Sequence, residues 1–242
     1  MAKKNAFGQN LKDFLFGSIY PENFCCLLCD VEIFEGELCA DCLDSLSVND
    51  GATCPKCGRK TGKSEICIEC KANMPSYERA FSPFVYEGGS AEAVAAFKGG
   101  RTFMADYLAG RMAAALNGLP EVDGIVCVPM TAKALRRRGY NQSELLARAL
   151  SRRTGVPFFE KAVKKVKETP AQKELGRARR VKNLQNCFKA DKGTVSGKKL
   201  LVVDDVITTG ATADGMALTL KNAGACLVFV VTAASVEYKN QS

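Results

Sequence analysis

The apolar and polar positions of this chain change period several times, and the changes mark its elements. Leu200-Leu201-Val202-Val203 is a run of four apolar residues, which fits a strand buried on both faces. The run stops at Asp204 and Asp205, a Thr/Gly loop follows from Thr208 to Thr212, and Ala213 to Asn222 reads as helix. Ile125 to Val128 is a second short buried strand, stopped by Pro129, and Leu227 to Val231 is a third. Ala80 to Tyr86 is aromatic and β-branched and predicts a strand closed by Glu87-Gly88-Gly89. Helical spacing predicts a helix capped by Ser90 and broken at Gly99-Gly100, one carrying Met104, Leu108, Met112 and Leu116 on one face, and one from Asn141 to Thr154 with Gly155 past its end. Pro157 to Val166 holds one or two strands, and Lys167 to Cys187 has no clear period. Strands alternating with helices predict an α/β, doubly wound domain.

The organisation is read as a lead-in helix over 1–23 with Leu11, Phe14 and Leu15 at helical spacing, a cysteine-rich region over 24–75, and the α/β domain over 76–242. A chain of 242 residues with 47% hydrophobic content can bury a core. No secretory signal pattern is visible and no apolar run is long enough to span a bilayer, so the reading is a cytoplasmic protein without membrane insertion. The net charge of +8 is uneven. Glu22 to Glu78 holds eleven acidic residues against five basic, whereas Thr131 to Lys182 holds sixteen basic against four acidic. The second stretch suits a polyanion, either pyrophosphate or nucleic acid.

In a reducing compartment, dense cysteine spacing points to metal before disulfides. The pairs Cys26/Cys29, Cys39/Cys42, Cys54/Cys57 and Cys67/Cys70 form two copies of C-x2-C-x9-C-x2-C, the second 28 positions after the first. Each Cys-x-x-Cys turn offers two sulfurs, so two turns complete a tetrahedral Zn2+ site, giving two structural zincs. Spacing alone leaves a crossed pairing of the knuckles open. The chain has no histidine, and four thiolates leave no open position for water. Cys25 reads as a bystander, and Cys127 and Cys226 as core residues within apolar runs.

Candidate chemistry gathers at strand ends. Asp204 and Asp205 stand at the carboxyl end of their strand, where open α/β sheets bind ligands. Thr208, Thr209, Gly210, Ala211 and Thr212 offer amides and hydroxyls at a helix N-terminus, which suits a phosphate. Acid for hydroxyls and amides for phosphate describe a sugar-phosphate site. Pro129, Met130 and Thr131 form a second strand-end turn, followed by Arg136, Arg137 and Arg138, whose guanidinium groups can bind pyrophosphate oxygens. Thr169, Gln172, Arg180 and Asn183 lie in a long polar stretch that reads as a lid. Lys98 is a further candidate, set against the ordinary contact of a helix-end lysine with the last carbonyls.

The Asp204 to Thr212 segment resembles the ribose-phosphate signature of the type I phosphoribosyltransferases. The knuckles, Arg138-Gly139-Tyr140-Asn141-Gln142, the Thr169 to Asn183 pattern and D-D-V-x-T-T-G-A-T together resemble the ComF/GntX family. The resemblance implies a type I phosphoribosyltransferase-like parallel sheet flanked by helices, with a small N-terminal double zinc ribbon. It also implies an association with natural competence, the uptake and processing of transforming DNA. Asp204 and Asp205 would hold ribose hydroxyls, Thr208 to Thr212 the 5-phosphate, and Pro129 to Thr131 with Arg138 the pyrophosphate. Purine enzymes of the hypoxanthine-guanine type have an aspartate where this chain has Thr208, so their general base is missing.

As an enzyme the protein would displace pyrophosphate from C1 of ribose with a nitrogen nucleophile, Asp204, Asp205 and Arg138 serving catalysis and Mg2+ accompanying phosphoribosyl pyrophosphate. The rivals are a non-catalytic phosphoribosyl pyrophosphate sensor, an adaptor on single-stranded DNA with Tyr140 stacking on a base, and a nucleobase salvage enzyme. The partners of this reading are phosphoribosyl pyrophosphate, single-stranded DNA, competence proteins and a second copy of the chain in a homodimer.

Overall fold

The structure, a computed structural model, describes residues 25–166 and 187–238. The lead-in helix expected over 1–23 and the lid residues Thr169, Gln172, Arg180 and Asn183 lie outside the described residues. The chain falls into two compact units, Met1–Ser45 and Leu46–Ser242.

In the first unit the Cys26–Cys29 knuckle turns back on itself, with the Cys26 N–H donating to Val31 O at 2.8 Å and Asp30 in the left-handed region at φ 62°. A five-residue helix, α1 (Ala40–Asp44), begins just after Cys39.

The second unit carries the sheet. Its elements are β1 (Leu46–Val48), α2 (Ile68–Ala72), β2 (Ala80–Phe81), β3 (Phe84–Glu87), α3 (Gly88–Lys98), α4 (Met104–Ala115), β4 (Gly124–Cys127), α5 (Ala132–Arg138), α6 (Gln142–Thr154), β5 (Val163–Lys165), β6 (Phe188–Ala190), α7 (Lys192–Val195), β7 (Lys199–Ile207), α8 (Ala211–Asn222) and β8 (Leu227–Ser235). The sheet order is β1-β3-β8-β7-β4, with β2 also on β8. β4, β7 and β8 run parallel to one another, β2 and β3 run parallel to β8, and β1 alone is antiparallel to its neighbour. β5 and β6 form a separate antiparallel pair, so the chain leaves at Val166 and returns at Cys187 beside it.

Both faces of the central strands are covered. Leu200 and Val202 of β7 share a core cluster with Met216, Ala217 and Leu220 of α8. Leu201 and Val203 point to the other face by strand alternation and are equally buried, and α6 packs against β7. Among the described residues no helix is long and apolar enough to cross a membrane.

Several elements differ from the sequence expectation for identifiable reasons. The strand at the acid pair does not stop there: β7 pairs with β8 as far as Ile207–Ser235, but with β4 only as far as Val203–Cys127. Asp204 and Asp205 therefore sit where the strand keeps one neighbour and loses the other. The Ala80–Tyr86 strand is split at Ser82-Pro83, since proline has no N–H to donate. Ser90 lies inside α3 and caps nothing; it is buried, and its hydroxyl accepts from the Ser47 N–H at 2.9 Å. Cys127 is a core residue, but Cys226 is exposed, because the buried part of its run begins only after β8 has started.

The second cysteine cluster belongs to the sheet-bearing unit, because β1 precedes it and β2 follows it. Its first knuckle seats on β2: the Ala80 N–H donates to Lys56 O at 2.9 Å. Gly58 has φ +69°, and a Cβ there would stand 2.3 Å from Ala80 O. Gly58→Ala should therefore lower the stability of this unit by about 2–4 kcal/mol in urea unfolding. An unchanged midpoint would mean that the knuckle is not held against β2.

Candidate sugar-phosphate site and cysteine clusters

At the carboxyl ends of β4 and β7 a cleft of about 570 Å³ is lined by Pro129, Met130, Thr131, Arg138, Asp204 and Asp205, together with Lys133, Arg137 and Lys165. The structure thus brings the acid pair, the strand-end turn and the basic residues to one place. Thr131 is the N-cap of α5, its hydroxyl accepting from the Ala134 N–H at 3.2 Å. That short helix carries Arg136, Arg137 and Arg138 in its last turn.

Asp204 is held from two sides. Its Oδ1 accepts from the Ser143 hydroxyl at 2.8 Å and from the Asp205 N–H at 2.9 Å. Burial and the neighbouring Asp205 charge push its pKa up to about 7, against the hydrogen bonds from Ser143 and the Asp205 amide and the charge of Lys98. Asp205 pairs through Oδ2 with Lys98 Nζ at 3.1 Å. Past Ile207 the chain turns through Thr208 and Thr209 into Gly210, which has φ 77° and stands at the N-cap of α8. Among the described residues, the main-chain N–H groups of Thr208, Thr209, Gly210, Ala211 and Thr212 make no hydrogen bond. Five free donors at a helix N-terminus, beginning three positions past Asp205, suit an anion, although these five residues are not among those lining the cleft.

The eight knuckle cysteines gather into two sets. Cys26, Cys29, Cys39 and Cys42 lie together in the first unit, and Cys54, Cys57, Cys67 and Cys70 in the second; within each set the sulfurs are within 4.8 Å of one another. The pairing is therefore sequential. Four thiolates at ~2.3 Å from one tetrahedral zinc stand about 3.8 Å apart. Cys29 and Cys39 sulfurs are 3.7 Å apart, and those of Cys57 and Cys67 are 3.8 Å apart. Both sets fit a structural zinc. The second is fully buried, whereas Cys29 in the first is exposed. Hydrogen bonding from Cys70 draws the Cys57 thiol down to about 4 against the effect of burial, helped by the Arg59 guanidinium. Cys57 therefore meets a cation as thiolate.

The double zinc ribbon domain family matches residues 15–71, and the phosphoribosyl transferase domain family matches residues 137–242. DNA utilization protein YhgH of Escherichia coli (strain K12) is 31% identical over 220 residues, covering 85% of this chain and 94% of that protein. The chain belongs to the ComF family. Other ComF relatives are Competence protein F of Haemophilus influenzae, 30% identical over 214 residues (84% of this chain, 93% of that one), and Competence protein ComFC of Bacillus subtilis, 26% identical over 247 residues (87% and 91%).

The ComF motif around Tyr140 reads differently in three dimensions than in one. The Tyr140 hydroxyl donates to Phe97 O at 2.7 Å and lies 3.2 Å from Lys98 O, tying the α5–α6 turn to the end of α3. Asn141 caps α6 through the Ser143 N–H, and its amide donates to Val128 O at 3.1 Å. Ser143 had no signal in the sequence beyond its place after this motif. Lys98 had one, the Phe97-Lys98-Gly99-Gly100 helix end, but its ammonium pairs with Asp205.

Proposed function

We propose that this ComF-family protein binds phosphoribosyl pyrophosphate with Mg2+ in the cleft at the ends of β4 and β7, and acts in competence-associated DNA uptake or processing. The observation that carries the ligand is the run of free N–H groups from Thr208 to Thr212 following an acid pair. In this reading Asp204 and Asp205 take the ribose hydroxyls and the Thr208 to Thr212 cradle takes the 5-phosphate. The Pro129–Thr131 turn with Arg138 faces the pyrophosphate, whose oxygens would carry most of the Mg2+ coordination. Stabilising the leaving pyrophosphate is the role assigned to Arg138. The DNA link is supported by the names of the relatives, DNA utilization protein and competence protein. By function the chain divides into a lead-in over 1–23, ribbons over 24–75 and a phosphoribosyltransferase-like domain over 76–242.

One observation favours a sensor or adaptor over base salvage. Between Asp205 and Asp214 the loop has no acidic side chain, so a purine acceptor would find no general base there. Calorimetry with phosphoribosyl pyrophosphate and Mg2+ tests the ligand: micromolar binding is expected, and no heat across the millimolar range would end the reading. A pyrophosphate-release screen over a nucleobase panel then separates turnover from sensing.

A further inference from the structure

Arg59 is an arginine buried to 4% exposure inside a cysteine knuckle, and each end of its guanidinium has a different task. Nε lies 3.4 Å from Cys57 Sγ, and Nη2 lies 3.7 Å from Cys67 Sγ and 2.7 Å from Glu69 Oε2. Nη1 donates to the main-chain carbonyl of Thr208 at 3.2 Å. The ring of Tyr238 closes over the same guanidinium at 5.3 Å, and the Tyr238 N–H donates to Lys60 O at 3.0 Å. A single side chain therefore spans the second cysteine cluster and the first residue of the anion cradle.

We propose that Arg59 is a positioning residue through which the metal state of the second ribbon sets the affinity of the Thr208–Thr212 loop for its phosphate ligand. The inference rests on the reading of that loop as a phosphate site. A trans peptide is planar, so the Thr209 N–H points opposite to the Thr208 carbonyl. Pinning that carbonyl toward the ribbon turns the Thr209 N–H away from the ribbon, with the donors of the cradle. Four thiolates on one Zn2+ carry a net charge of about −2, which the buried guanidinium partly offsets, and loss of the metal releases the fixed sulfur geometry against which Nε and Nη2 are held. Only a planar fork of five N–H groups can hold both ends; a lysine ammonium is a single point of charge. The coupling is reciprocal by linkage, so phosphate ligand on the loop should slow metal loss from the second cluster and leave the first unaffected.

Arg59→Lys and Glu69→Gln test this in the zinc-loaded full chain. Zinc content is measured first and should stay at two per chain in both. Backbone ¹⁵N order parameters at Thr208, Thr209 and Gly210, with no ligand present, should fall from about 0.85 to below ~0.6 in Arg59→Lys, with a smaller drop in Glu69→Gln. Affinity for phosphoribosyl pyrophosphate with Mg2+ should weaken about tenfold in Arg59→Lys, as expected if only about a tenth of the molecules hold the loop ready. A loop that stays rigid in Arg59→Lys with both zincs retained overturns the proposal. If Arg59→Lys loses zinc or fails to fold, two measurements decide. One is Glu69→Gln; the other is the rate of zinc transfer from the wild-type second cluster to a chelator with and without ligand, where equal rates overturn the proposal. A wild-type protein that takes up no phosphoribosyl pyrophosphate defeats the ligand reading instead, and the order parameters still decide whether Arg59 holds the loop.

Discussion

Asp204→Asn will weaken phosphoribosyl pyrophosphate binding by about a hundredfold and at the same time make the protein more stable at pH 8. Both effects follow from one geometry. Asp204 stands where β7 has lost β4 as a neighbour, with its Oδ1 already holding the Ser143 hydroxyl and the Asp205 amide. In the proposed reading its second oxygen takes a ribose hydroxyl, and a charge-assisted hydrogen bond of this kind contributes roughly 1.5–3 kcal/mol. Asparagine keeps an oxygen acceptor for Ser143 and the Asp205 amide but removes the charge.

The sign of the stability effect comes from the folded-state pKa of about 7, against about 3.9 for an unfolded aspartate. Between those values the folded protein takes up a proton that the unfolded chain does not hold, so this group's contribution falls as pH rises from 4 to 7 and stays unfavourable above. The penalty is the cost of keeping an ionised acid buried and beside Asp205, which Lys98 only partly offsets. Asp204→Asn should therefore raise stability by about 2 kcal/mol at pH 8, roughly 4–8 °C in Tm. The gain should shrink steadily and vanish near pH 4. A substitution that destabilises equally at both pH values would show that Asp204 is not a strained, ligand-directed acid. Sites that trade stability for binding behave in this way.

The hydropathy pattern located the strand that carries the acid pair and missed how far it runs. Leu200 to Val203 were legible because both sheet faces are covered, which leaves no polar alternation. The extension of β7 through Asp205 to Ile207 was not, because a strand paired on one side only can carry polar residues. Ser143, Lys98 and Arg59 reach the site from elements far apart in the chain, and each contact exists only once β4, β7 and β8 are side by side. The cysteine sets were legible from their 28-residue repeat, whereas sequential pairing needed the sulfur positions themselves. Cys226 shows the limit of an apolar run: one position before a buried strand is already in solvent.

The second large effect concerns Cys70, which is 0% exposed and closes the second cluster. That cluster forms its own small core with Ile66 and Tyr238 against it, and its knuckle rests on β2 through Gly58 and Lys56. A structural zinc site is unformed in the unfolded chain, so metal binding free energy is folding free energy. Cys70→Ser leaves three thiolates and a buried Arg59 with fewer anionic partners, which costs on the order of 3–5 kcal/mol. The Tm of the sheet-bearing unit should fall by roughly 6–20 °C, with one zinc per chain remaining. Cys29→Ser gives the contrast. It also removes one zinc, but from the less buried cluster of the other compact unit, and the sheet's transition should move by less than about 2 °C. In the wild type a chelator should take the first zinc well before the second, because Cys29 is accessible and all four sulfurs of the second set are buried. Equal Tm losses from the two substitutions, or simultaneous release of both zincs, would mean that the second ribbon has no special tie to the sheet, and Gly58 and Lys56 would then be incidental contacts.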